Sequence, residues 1–148
     1  MRRYVERIDF ARDDVFGIFG DGPTLIAVAR LAFDPAHACA EIGLSVDRDR
    51  RGRGYGRALL QRGRLHAISR GCRTLYMHFL SENGAIRHLA AKAGLKVVIA
   101  HGEADAMLTL PGPRHDDIAR EQVALADYRL KQQARQPSAE TPGQRQVA

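Results

Sequence analysis

The stretch Ala40–Leu60, AEIGLSVDRDRRGRGYGRALL, constrains the fold of this 148-residue chain more than any other. Ala40, Ile42, Leu44 and Val46 alternate with Glu41, Gly43 and Ser45, the period of two that separates the faces of a strand. The chain then turns through an Arg- and Gly-rich loop, Arg48 to Gly56, and a helical pattern begins at Tyr55. A strand, a glycine-rich turn and a helix together make an anion site. Glycine lets the backbone approach a phosphate, the first-turn N–H groups have no partner within the helix, and the helix dipole adds positive potential. Arg48, Arg50, Arg51, Arg53 and Arg57 surround the turn, more charge than a solvated loop needs.

Spacing narrows the choice of phosphate ligand. Gly52, Gly54 and Gly56 read G-x-G-x-G, which is not the dinucleotide fingerprint G-x-G-x-x-G. Nor does a Lys-Ser or Lys-Thr stand near the turn, as a nucleoside-triphosphate loop requires. What is present is Arg51-x-x-Gly54-x-Gly56 after a strand ending in Val46. Here the chain resembles the GNAT superfamily of acetyl-CoA-dependent N-acetyltransferases, whose pyrophosphate loop reads [R/Q]-x-x-G-x-[G/A] between these elements. A second stretch, SENGAIRHLAAKAGL (Ser81–Leu95), resembles the family's strand-end Asn, helix and Gly-Phe. Asn83 and Gly94 fit, and Leu95 replaces the aromatic. Read by itself, this stretch is an amphipathic helix with Ile86, Leu89, Ala90 and Ala93 on one stripe, Ser81 as N-cap and Gly94 as its stop.

The other elements follow in order. The arms VFGIF and LIAVARLAF flank Gly20-Asp21-Gly22-Pro23, so Asp14–Phe19 and Thr24–Phe33 form a hairpin. Pro35 and His37 mark a loop before the central strand Ala38–Val46. The helix over about Gly54–Ser69 has a stripe interrupted by Arg62, which predicts a frayed or exposed far end. Arg73–Leu80 is a strand, and Leu95–His101 with Ala104–Leu110 form a hairpin around Gly102-Glu103. Cys39 and Cys72 read as buried free thiols on strands, which places the chain in the cytoplasm. The domain ends at residue 112. A helix then covers 113–135, with Ala119, Val123, Ala126 and Leu130 as a narrow apolar stripe, and 136–148 is a polar, disordered tail.

No apolar run approaches the ~20 residues of a membrane helix. The net charge of +6 suits anionic ligands, but no aromatic-rich RNA motif or zinc-finger spacing accompanies it. His66, His78 and His101 show no metal-ligand pairing. The expected architecture is mixed α/β, a mostly antiparallel sheet carrying one parallel pair, the strands at Ala38–Val46 and Arg73–Leu80, which splays to admit a cofactor.

The resemblance, nearest to the protein-lysine acetyltransferase branch, implies acetyl transfer from acetyl-CoA to a primary amine by direct attack, with no metal. Cofactor contacts would come from Leu44, Ser45, Val46, Arg51, Gly52, Arg53, Gly54, Tyr55, Gly56, Arg57 and Asn83. An alkyl amine (pKa ~10.4) arrives protonated at neutral pH and needs a base. Glu41 matches the glutamate of that branch. The family's general acid, a Tyr seven residues after the Asn, is replaced by Ala90, which leaves His88, Ser81 and Tyr76 as substitutes. The family also begins with a strand and two helices that wall the acceptor site, and only about a dozen residues stand there. Two expectations follow: a homodimer that closes the gap with the C-terminal helix or a neighbouring face, and, as the alternative function, a non-catalytic acyl-CoA sensor.

Overall fold

A computed structural model of the protein describes residue 6, residues 8–116 and 118–123, and residue 126. Up to residue 109, six strands and two α-helices follow one another as β1 (Asp13–Phe19), β2 (Leu25–Asp34), β3 (Cys39–Val46), α1 (Tyr55–Ser69), β4 (Thr74–Leu80), α2 (Gly84–Lys92), β5 (Lys96–Ala100) and β6 (Glu103–Thr109). They form one sheet in the order β1-β2-β3-β4-β6-β5. Every pairing is antiparallel except β3 with β4. The parallel pair is the one joined by a helix, since a parallel return needs a crossover.

Both helices cover one face. Leu31, Ile42, Leu75, Met77, Phe79, Ala104 and Ala106 point into a core with Leu59, Leu60, Ala67 and Ile68 of α1 and Ala90 of α2. Along β4 the burial alternates strictly, with Leu75, Met77 and Phe79 buried and Tyr76, His78 and Leu80 outside. The opposite face of β3, β4, β6 and β5 is therefore open, as expected of an antiparallel sheet covered on one side. Gly63 explains how closely α1 approaches. A Cβ there would lie 2.4 Å from Ile42 Cδ1 and 3.2 Å from Leu31 Cδ1, so any side chain would displace the ends of these two core residues.

Local chemistry sets the turns. The β5–β6 loop is His101-Gly102, with both residues at positive φ (52° and 83°), the two-residue turn that matches strand twist. Asn83, not Ser81, caps α2: its side chain accepts from the Ile86 N–H at 3.2 Å. Ser81 Oγ instead donates to the Gly102 carbonyl at 2.9 Å and ties β4 to the β5–β6 turn. Cys72 is buried but lies in the α1–β4 turn rather than on a strand; Cys39 is on β3 but only half-buried, and both thiols are free. Burial pushes both thiols above their ordinary pKa.

The far end of α1 is neither frayed nor exposed. Residues 118–123 are helical, and Glu121, only 4% exposed, bonds to Arg62 and to His66 Nδ1 (2.7 Å). Asp14 of β1 meets His66 Nε2 at 2.7 Å. The expected apolar stripe does not make this contact. Ala119, Val123 and Ala126 are exposed, Val123 to 69%, because a buried ion pair anchors the segment instead. It lies against α1, on the face away from Glu41. Leu130, the expected tail 136–148 and residues 1–5 lie outside the described residues.

Candidate active site

The parallel pair opens almost at once. Cys39, Ala40 and Glu41 pair with Thr74, Leu75 and Tyr76, and no β3–β4 pairing follows. β3 continues to Val46 and β4 to Leu80, so the two strands diverge with unpaired backbone on their inner edges. Antiparallel hydrogen bonding alternates in direction, and the Asp47 N–H donates to the Ile26 carbonyl opposite it on β2. By that alternation Ser45 and Gly43 bond toward β2, while Leu44 turns its N–H and C=O into the gap and Val46 its N–H, the Val46 carbonyl accepting from Arg51 Nε at 3.2 Å. Of the expected backbone contacts, Leu44 and Val46 therefore line the opening directly, and the backbone of Ser45 is engaged with β2.

The gap leads to the start of α1. Gly52 (φ 73°) and Gly54 (φ 84°) adopt the left-handed conformation that favours glycine, and Gly54 is the N-cap residue without a side-chain cap. The first bond at this end runs from the Ala58 N–H to the Gly54 carbonyl. This leaves the amides of Tyr55, Gly56 and Arg57 directed out of the helix end. Arg48, Arg50, Arg51, Arg53 and Arg57 are exposed around it. Arg51 folds back, its Nε donating to the Val46 carbonyl at 3.2 Å, and so braces the turn against the end of β3. Gly56 has a different role. A Cβ on it would stand 3.3 Å from Leu89 Cδ2 of α2 and 3.9 Å from Val46 Cγ2, so it faces protein, not the open turn. Asn83 is exposed at the N-terminus of α2.

Glu41 points to the open face and is exposed. Its neighbour across the last parallel pair is Tyr76, and two residues further on β4 comes His78. His78 Nδ1 lies 2.7 Å from Asp105 Oδ1, and its Nε2 lies 4.0 Å from Glu103 Oε1. The hydrogen bond to Asp105 raises the pKa of His78 above the ordinary imidazole value, and Glu103 and Glu41 add to the effect. Sequence pattern finds no metal-ligand pairing for His78 and gives it no catalytic role; its alternation with Tyr76 and Leu80 is the available signal. His88 is exposed on α2, on the helical side of the sheet, and no bond among the described residues links it to the Glu41 face. Among the described residues no group of three or more His, Cys, Asp or Glu is arranged to hold a metal ion, and no helix is long and apolar enough to cross a membrane.

A splayed parallel pair beside a glycine-led helix N-terminus defines an acyl-CoA N-acyltransferase fold. Residues 1–95 match the profile of the acetyltransferase (GNAT) family, and the chain belongs to that family. Solved structures share the fold. An N-acetyltransferase from Staphylococcus aureus Mu50 superposes with a TM-score of 0.62 at 23% identity, over 74% of this chain and 75% of that one. The ribosomal-protein-S18-alanine N-acetyltransferase from Escherichia coli gives 0.59 at 20%, over 76% and 77%. The acetyltransferase-like yncA from Salmonella typhimurium, solved with acetyl-CoA, gives 0.59 at 22%, over 67% and 65%. No curated protein matches the chain.

Proposed function

We propose that this protein transfers the acetyl group of acetyl-CoA to a primary amine by direct attack. The observation that carries this reading is the gap between β3 and β4, which opens after Glu41 and Tyr76 and runs to the uncapped start of α1. The pyrophosphate would meet the amides of residues 55–57 and the exposed arginines, where charge and dipole act together. The pantetheine arm would lie along β3 and bond to Leu44 and Val46. A backbone N–H there polarises the thioester carbonyl, a contribution of about 3 kcal/mol when it is aimed at developing negative charge. Glu41, exposed on the open face, receives the ammonium of the acceptor.

The same reading sets the protein in the cytoplasm, where free thiols such as Cys39 and Cys72 persist. A second reading, an acyl-CoA sensor without turnover, is favoured by Ala90. This residue stands where the family's tyrosine would be, and it is wholly buried. Titration calorimetry with acetyl-CoA and a thiol-release assay over a panel of primary amines separate the readings. Binding with turnover is expected. Binding without turnover on any amine returns the sensor, and absence of binding overturns both.

A further inference from the structure

The open face holds a second ionisable device besides Glu41. β4 carries Tyr76, the last residue paired with β3, and then His78 on the same face where the strands have parted. His78 is thus at the lip of the gap, on the open face that Glu41 shares. Across the β4–β6 ladder it is directly opposite Asp105. A carboxylate only accepts hydrogen bonds, so the 2.7 Å contact to Asp105 Oδ1 puts a proton on Nδ1. In the neutral ring Nε2 then carries the lone pair, and the side chain, 48% exposed, can present it to a ligand.

Resting on the acetyltransferase reading above, we propose that His78, oriented by Asp105, is the base that takes the proton from the acceptor amine, with Glu41 holding the ammonium beside it. The charged groups that face His78 are Asp105 and Glu103 on β6 and Glu41 on β3. Lys96 on β5 stands one row away, opposite Met107. Three carboxylates around one imidazole make this lip acidic in a chain of net charge +6, so it attracts cationic amines while the α1 turn attracts phosphate.

The step balances as follows. Nε2 of neutral His78 takes one proton from the ammonium, and the freed amine attacks the thioester carbonyl carbon. A C–N bond forms, the C–S bond breaks, and its electron pair leaves on sulfur. The thiolate takes a second proton from the nitrogen, the third stays on the amide, and the imidazolium returns its proton to water. An imidazole suits this task better than a carboxylate, because its pKa lies nearer to neutral pH. The carboxylates around His78 raise its pKa further, so the neutral ring is lost as pH falls through that raised value.

The test compares the parent, His78→Gln and Asp105→Asn in kcat/KM from about pH 5 to pH 9, using the amine that the parent acetylates best. The parent should gain activity as pH rises through the imidazole range. His78→Gln should lose about a hundredfold together with that acid limb. Asp105→Asn should move the limb to lower pH, a shift that an amine titrating by itself would not show. Acetyl-CoA affinity by calorimetry should stay within about twofold in both variants. The side chain is half exposed, so thermal melts should also match the parent. A His78→Gln variant that keeps the parent rate and limb overturns the proposal, as does an Asp105→Asn variant whose limb does not move. A parent that binds acetyl-CoA but acetylates no amine overturns the transfer reading, and the base role falls with it.

Discussion

At the scale of single residues, the glycines divide by what they face. Sequence pattern alone assigns Gly54 and Gly56 one job, leaving room for pyrophosphate. In the structure the two positions differ in what surrounds them. Nothing stands within 4 Å of a Cβ on Gly54, and its constraint is a φ of 84°. Alanine at that position costs about 1–2 kcal/mol of backbone strain. Gly56 instead lets Leu89 and Val46 close over α1. We expect Gly56→Val to lower stability by about 1–3 kcal/mol in denaturant melts without ligand and to weaken acetyl-CoA binding as α2 is pushed away. Arg50→Ala, an exposed residue, should change neither by much. A Gly56→Val protein as stable as the parent would show that the contact with Leu89 is dispensable. The packing role was not legible in the sequence, because a loop motif says which residues approach a ligand and not which approach another helix. Gly63 was invisible for the same reason.

At the scale of elements, the strands were legible almost to the residue. Alternation over β3 and β4, the turn residues of both hairpins and the glycine after each helix all state local geometry. The far end of α1 was not. Arg62 reads as a break in an apolar stripe because periodicity equates charge with solvent. Here the charge is buried against another part of the chain. Its partner Glu121 is 59 residues away, and no local pattern connects them. Arg62 also lies over the Phe16 ring at 4.9 Å, and His66 meets Phe16 and Phe33 edge-on. Removing one member of such a cluster leaves its partners buried and uncompensated, a loss of about 3–5 kcal/mol. Glu121→Ala should therefore destabilise the domain by that order, and truncation after Pro113 by at least as much. Chemical denaturation of the two variants measures it. A truncated chain as stable as the parent would refute the anchoring role of Glu121.

At the scale of the whole molecule, the C-terminal segment and the open face of the sheet lie on opposite sides. The cover expected for the open side of the sheet is the C-terminal helix or a neighbouring face within a homodimer; within this chain Glu121 holds its own segment against α1, on the other side. Its exposed Val123 does not cover the face of Glu41 and His78. One edge of the sheet offers a surface for self-association. Among the described residues β5 pairs with β6 alone, and Val98 (57%) and Ile99 (51%) are exposed on its two sides. An edge strand with unpaired backbone and apolar side chains is a template for pairing with another chain, and two-fold pairing is the commonest closed form. We predict a homodimer through β5, which leaves the gap between β3 and β4 free for acetyl-CoA. Light scattering should give about twice the 16.4 kDa chain mass. Because the net charge of +6 opposes association, the dimer should tighten as salt screens that repulsion. Ile99→Lys should return the protein to the mass of one chain while leaving acetyl-CoA affinity intact. A parent that stays at 16.4 kDa across concentration and salt would end the dimer proposal, and an Ile99→Lys variant that remains dimeric would move the interface away from β5.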